Sequence, residues 1–139
     1  MKEIKNEYVS IRQFDNLVRL AAGQPAEQCG MNGHCTYQTV VEANGNLYPC
    51  DFFCNDTLCL GNIKTTDFFK IDKNKVALEF IKNSFIIPNR CKSCNYYKLC
   101  YNAGCKRYRL DDDYCESYNM FFENCISDLI DISKLYKFK

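Results

Sequence analysis

The chain has 139 residues, room for one domain, and its 18 Lys and Arg against 17 Asp and Glu leave a formal net charge of +1. Hydrophobic residues make up 47% and charged residues 25%, which excludes disordered and fibrous classes, and so even a balance gives no reason to expect nucleic acid, an anionic membrane or an acidic partner. The outlier is cysteine, with 11 residues beside one His and no Trp, which leaves a disulfide scaffold or a thiolate metal protein.

The opening MKEIKNEYVS carries no apolar signal region, and no apolar run approaches the roughly 18–20 residues of a membrane span. An odd cysteine count without an export signal points to a reducing compartment, the cytoplasm, where thiols persist and coordinate metals. A helix of about 13 residues is predicted after Ser10, with Ser10 and Gln13 as a capping box. Ile11, Phe14, Leu17, Val18 and Ala21 recur at helical spacing, and Gly23 stands where a terminating glycine belongs. The stripe has little to bury against locally, so the helix is expected to pack on the cysteine region or on something preceding it.

From Thr36 to Ala43 the sequence turns β-branched, Asn44-Gly45 reads as a two-residue type I′ turn, and Asn46–Tyr48 returns, giving a β-hairpin closed by Pro49. Leu60–Ile63 reads as a loop or short strand, and residues 73–83 as a helix with Val76, Phe80 and Ile81 inward. The stretch from Cys91 to Cys115 is expected to be mostly loop. A long helix over 116–136 closes the chain, with Tyr118, Phe122, Cys125, Leu129, Ile132 and Tyr136 as its stripe.

Cysteine spacing carries the chemistry. Cys29, Cys35 and Cys50 form one group, with Gly45 five positions before Cys50; Cys91, Cys94, Cys100, Cys105 and Cys115 form a second. A Cys-x-x-Cys turn lets two thiolates converge on one metal centre, and thiolates without interleaved His favour iron–sulfur clusters or a four-cysteine zinc site. Eight cysteines suffice for two four-thiolate sites, leaving Cys54, Cys59 and Cys125. The first two read as free thiols and Cys125 as packing on a helix face. His34 reads as a hydrogen-bonding loop residue. Lys106, Arg107 and Arg109 read either as a solvated basic face or as charge balance beside anionic clusters.

Cys35, Gly45, Cys50, Cys91, Cys94, Cys100, Cys105 and Cys115 lie in order on the motif of the SPASM domain, which the chain resembles. That domain carries the auxiliary clusters of a group of radical S-adenosylmethionine enzymes. Within the group the stretches SIRQFDN, CGMNGHC, VVEANGNLYPCDF, LGNI and CESYNMFF most resemble the anaerobic sulfatase-maturating enzymes. The resemblance implies a small, cysteine-rich, metal-stapled α+β domain with an N-terminal docking helix, a β-hairpin and a long C-terminal helix. It divides the chain into 1–28, a helix and linker from a radical S-adenosylmethionine barrel, 29–115, the two-cluster region, and 116–139, the terminal helix.

It also implies that one [4Fe–4S] cluster takes Cys29, Cys35, Cys50 and Cys105, and a second takes Cys91, Cys94, Cys100 and Cys115, with zinc a substitute if clusters are lost. Cys100 and Cys105 stand one residue further apart than the family pattern, so residues 101–104 must bulge for Cys105 to reach its iron. Cys125 competes with Cys115 as last ligand, and Cys115 is favoured because it precedes the helix. Asp51, directly after Cys50, matches the family's general base, a carboxylate whose pKa an anionic cluster in a closed site would raise.

By the same resemblance, the barrel would bind S-adenosylmethionine and abstract hydrogen from a Cys or Ser of a sulfatase polypeptide. Asp51 would take the thiol or hydroxyl proton, and the clusters would pass an electron to a flavodoxin or ferredoxin. The chain has no Cys-x3-Cys-x2-Cys loop, because Thr57 stands three positions after Cys54, so the radical chemistry belongs to the barrel. Two rivals stay open at this point: a stand-alone iron–sulfur electron carrier and a zinc-stapled interaction module.

Overall fold

The structure is a computed structural model that describes residues 9–111 and 114–135. It is an α+β domain of short elements. Helix α1 (Arg12–Ala21) leads to strands β1 (Val40–Val41), β2 (Asn46–Tyr48) and β3 (Gly61–Asn62) and then helix α2 (Lys75–Ser84). Helices α3 (Asn89–Lys92), α4 (Tyr97–Cys100), α5 (Lys106–Asp111) and α6 (Cys115–Leu135) complete the chain. Among the described residues no helix is long and apolar enough to cross a membrane.

Helix α1 begins as the sequence suggests but without the capping box. Ile11 occupies the N-cap position and makes no side-chain cap, while the Ser10 hydroxyl donates to the Asp15 carboxylate. The C-terminus follows the sequence closely. Gly23 takes φ +74°, its N–H donates to Leu20 O, and Gln24 N–H reaches back to Arg19 O at 2.9 Å, the two-bond Schellman arrangement that only a left-handed residue closes cheaply.

The buried face of α1 is Asn16, Leu17, Val18 and Leu20, whereas Ile11 and Phe14 stay about half exposed. The rotation has a polar cause. Asn16 is 1% exposed; its carboxamide oxygen accepts from Glu27 N–H at 2.6 Å and Gln28 N–H at 3.1 Å, and its nitrogen donates to Arg12 O at 2.7 Å. One buried side chain thus fixes the linker that delivers Cys29, and the apolar stripe turns with it.

Leu17, Val18, Leu20, Ala26 and Met31 pack against Phe122 and Leu129 of α6, with Tyr96, Leu99 and Tyr118 at the margin. The expected stripe on α6 is therefore used at Tyr118, Phe122 and Leu129, while Cys125 is half-buried outside that cluster. Ile132 remains 48% exposed, and Tyr136 lies outside the described residues. Length explains this: α1 spans about 15 Å and α6 about 32 Å at 1.5 Å per residue, so the last turns of α6 run past their partner.

The hairpin forms with a different turn. Strands β1 and β2 pair antiparallel with Val40 opposite Tyr48, and β3 adds to the other edge with Asn46 opposite Asn62. Gly45 N–H donates to Glu42 O at 2.8 Å and Glu42 N–H to Asn46 O at 3.0 Å. Only Gly45 has positive φ, at +86°; a type I′ turn needs it at Asn44 too. The loop is a longer turn ending in a left-handed glycine. Leu47, Leu60, Ile71 and Ala77 form a second small core beneath this sheet.

Helix α2 begins two residues later than expected. Asn74 caps it, its side-chain oxygen accepting from Val76 N–H at 2.9 Å and its nitrogen donating to Leu60 O at 3.0 Å, while Ala77, Phe80 and Ser84 are its buried residues. The stretch from Cys91 to Cys115, expected to be mostly loop, instead contains three short helices, because its turns are wound tightly enough to satisfy their own backbone groups.

Asn16→Ala removes the acceptor of two linker N–H groups and is expected to lower stability by about 1–3 kcal/mol. Phe122→Ala, at a fully buried position, is expected to cost about 3–5 kcal/mol. Denaturant unfolding of each variant beside the parent checks both.

Candidate metal centres

The first cysteine, Cys29, opens a one-turn 3-10 helix over Cys29–Met31. Cys35 donates its backbone N–H to Ser84 Oγ at 2.8 Å, and that fully buried hydroxyl donates to Ile81 O at 2.6 Å. The end of α2 therefore positions the loop that carries Cys35. Cys50 leaves β2 through Pro49 and enters a 3-10 turn over Asp51–Phe53.

Cys105 arrives by a different route. Tyr101, Asn102, Ala103 and Gly104 have φ of 47°, 57°, 59° and 70°, a run of left-handed residues that includes three with side chains. Each such residue costs of order 1 kcal/mol, and the contacts show what holds them. A Cβ on Gly104 would lie 2.0 Å from Gly30 O, and one on Gly33 would lie 2.5 Å from Tyr101 Cβ. The turn thus rests backbone against backbone on the Cys29–Cys35 loop. Ala103 N–H also donates to Cys100 Sγ at 3.3 Å, the kind of concave N–H arrangement that suits an anionic ligand. The expected bulge is this turn.

Cys29, Cys35, Cys50 and Cys105 come together around one cavity of about 650 Å³, which α1 meets through Arg12 and α6 through Tyr118. Cys91, Cys94, Cys100 and Cys115 surround a second of about 920 Å³. Cys115 is the first residue of α6, at the positive end of the helix dipole. Cys125 is not in either lining, nor are Cys54 and Cys59, whose thiols face the carbonyls of Cys50 and Gly61. Ala103, Tyr108 and Tyr114 line both cavities, so a wall one or two side chains thick parts them. The two tyrosine rings meet edge to face at 5.4 Å.

Burial raises the thiol pKa of Cys35, Cys91 and Cys100. Cys50 is pushed up to about 11, first by burial, with the neighbouring Asp51 carboxylate adding to it. Opposing contacts favour the thiolate: the Arg90 guanidinium at Cys91, backbone N–H groups of Ala103 and Asn102 at Cys100, and Lys106 near Cys35. Asp51 is exposed, lines the first cavity, and accepts from the Cys50 thiol at 3.4 Å.

None of the eleven cysteines is in a disulfide. The thiols of each set ring a cavity instead of meeting at a point, and among the described residues no three His, Cys, Asp or Glu converge as a single ion requires. An all-thiolate lining of this kind suits an iron–sulfur cluster.

Residues 29–95 match the SPASM family, an iron–sulfur cluster-binding domain. The chain carries a SPASM domain. The matched span holds Cys29, Cys35, Cys50, Cys91 and Cys94. The chain is 43% identical to a cysteine-type anaerobic sulfatase-maturating enzyme of Clostridium perfringens, over 93% of this chain and 37% of that enzyme. It is 26% identical to a serine-type enzyme of Bacteroides thetaiotaomicron over 82% of this chain and 30% of that one. The solved structure of native anSMEcpe with bound AdoMet and Cp18Cys peptide superposes with a TM-score of 0.84 at 40% identity, covering 93% of this chain and 38% of that one. The chain therefore spans between 30% and 38% of the length of these relatives.

The basic residues part company, each with its own partner. Lys106 Nζ sits 4.1 Å above the Phe80 ring, Arg107 Cζ 3.8 Å above Phe52, and Arg109 donates to three backbone carbonyls. His34 behaves as expected: its ring stacks on Phe85 at 4.8 Å and contacts Asn32 O. Ser84, Tyr108 and Tyr114 went unmarked in the sequence. The tyrosines' one signal was their closeness to Cys105 and Cys115; Ser84 offered none.

Gly104→Ala forces its new methyl into Gly30 and should displace Cys105 from the first cavity. Iron and sulfide in the anaerobically reconstituted variant are expected to fall toward half of the parent's, while Gly23→Ala, whose Cβ would meet nothing, leaves them unchanged.

Proposed function

We propose that this SPASM domain holds two [4Fe–4S] clusters for a radical S-adenosylmethionine enzyme that oxidises a Cys or Ser of a sulfatase polypeptide to formylglycine. The observation that carries the reading is the pair of separate four-cysteine cavities, one of them lined by Asp51 directly beside its Cys50. The ligands are Cys29, Cys35, Cys50 and Cys105 for the first cluster and Cys91, Cys94, Cys100 and Cys115 for the second. When bound, such clusters supply one-electron transfer.

The chain's own residues supply the rest. Asp51 receives the proton released as the substrate side chain is oxidised; its exposure on the cavity rim leaves it open to an incoming peptide. Ligation removes the Cys50 proton and with it that thiol's donation to Asp51, freeing the carboxylate to accept another. Tyr108 and Tyr114 keep the two centres apart and shield them from water. Substrate preference follows the cysteine-type relatives, which share 35–43% identity.

The remaining parts belong to the reading as well. Residues 1–28 join an N-terminal barrel that binds S-adenosylmethionine, residues 29–115 hold the clusters, and residues 116–139 close the chain. Val9, Ile11 and Phe14, all more than 45% exposed, are the part of this region free to meet the barrel, because the Leu17 and Leu20 face is spent on α6. A flavodoxin or ferredoxin takes the electrons. A reducing compartment, the cytoplasm, suits a chain with this many unpaired thiols.

Anaerobic reconstitution should yield about eight irons and eight sulfides per chain in the region described, with visible absorption; zinc without sulfide overturns the reading. In the complete enzyme, Asp51→Asn is expected to lower peptide oxidation by roughly 10²–10⁴-fold with cluster content intact. Wild-type turnover by that variant removes Asp51 as the base.

A further inference from the structure

Asp51 sits on a turn that the hydrophobic core does not hold. The 3-10 turn Asp51–Phe53 has no buried residue of its own, and Phe52 is 54% exposed. Among the described residues the one hydrogen bond to the Asp51 carboxylate comes from the Cys50 thiol at 3.4 Å, and ligation of Cys50 removes it. A carboxylate that receives a substrate proton must stand within hydrogen-bond reach of it, which demands a fixed place. Whatever fixes Asp51 therefore acts through the turn.

The turn is gripped by its two rings, from two consecutive side chains at the start of α5. Lys106 Nζ lies 4.1 Å from the centre of the Phe80 ring and 5.7 Å from that of Phe53, and these two rings meet edge to face at 5.2 Å. Phe80 is fully buried on α2, so this contact anchors the far end of the turn. Arg107 Cζ lies 3.8 Å from the centre of Phe52 and 4.7 Å from that of Tyr108, and its Nη2 donates to the Tyr108 hydroxyl at 2.7 Å. A cation within about 6 Å of a ring centre is drawn to the ring's negative face. Lys106 and Arg107 are the two residues after Cys105, and Phe52 and Phe53 the two after Asp51. The four side chains thus tie the segment after one cysteine of the first cavity to the segment after another, and all four line that cavity's wall with Asp51.

We infer that Arg107 is a positioning residue for Asp51, holding the carboxylate at the first cavity through its stack on the neighbouring Phe52 ring. The inference rests on the reading of Asp51 as the base. Lys106 and Phe53 keep the turn on α2, whereas the Arg107 stack holds the residue next to Asp51 and does so at an exposed place where no other contact restrains it. The hydroxyl bond to Tyr108 keeps the guanidinium from swinging away. Arg107 is also within Coulombic reach of Asp51, so stack and charge must be separated. Phe52→Leu removes the ring and leaves the charge.

The test is single-turnover peptide oxidation by the complete, anaerobically reconstituted enzyme, with peptide affinity read by fluorescence anisotropy. Arg107→Gln and Phe52→Leu are each expected to slow turnover roughly two- to fivefold, the worth of one exposed cation–π contact, with affinity, iron and sulfide at the parent's level. Phe52→Tyr, which keeps the ring, restores most of the rate. The double variant is no slower than either single one, because both remove the same contact. Parent turnover in both single variants, additive losses in the double variant, or weaker peptide binding with turnover kept each overturn the inference.

Where a variant loses iron, stepwise fluorination of Phe52 decides, since it weakens the negative face of the ring with its shape kept. Turnover that falls with each added fluorine supports the stack, and a flat series removes it. Parent turnover by Asp51→Asn is a different failure, that of the base reading itself, and shows before any Phe52 or Arg107 variant is made.

Discussion

The contact between the Tyr101–Gly104 turn and the Cys29–Cys35 loop organises everything else in this domain. The chain places Cys100 and Cys105 five positions apart, yet they belong to different cavities. Nothing in a regular helix or strand would separate two such neighbours so completely. A run of left-handed residues reverses the chain between them, and at Gly104, where a Cβ would lie 2.0 Å from Gly30 O, the two backbones approach more closely than any side chain would allow.

Around that contact the molecule divides its labour. The apolar clusters are small: α1 on α6 makes one, and the sheet on α2 makes another. Neither encloses the cysteines, which sit in loops and short helices fixed by single polar residues. Asn16 sets the path into Cys29, Ser84 holds Cys35, Asn74 ties α2 to the strand region, and Arg109 ties three loops at once. Each is a hydrogen-bonding residue at a place where hydrophobic packing is too thin to specify a conformation, which is how small metal domains usually compensate for a limited core.

What could be read from the sequence follows the same division. Features set by local chemistry were legible: the helix terminated by Gly23, the hairpin around Gly45 and the long terminal helix, whereas spacing alone grouped Cys105 with Cys91–Cys115 and only the resemblance moved it to the first set. Features set by distant contacts were not. The face of α1 turns on where Glu27 and Gln28 happen to pass, and the Asn44-Gly45 dipeptide gives a longer turn because β3 pairs on the other side of β2 and draws Asn62 over Gly45. The basic run at 106–109 has no periodicity to show that its members would separate onto two aromatic rings and a carbonyl trio. Asp51 was marked by a resemblance; its position on a cavity rim beside Cys50 is what gives the mark physical content.

The left-handed turn has a consequence for how the domain is put together. One end of it donates a backbone N–H to Cys100 and the other delivers Cys105, so the entropy of ordering four residues is lost once and serves two sites. One short stretch of backbone therefore serves both cavities, and the distance between the two cysteine sets is set by that turn and not by a packed core.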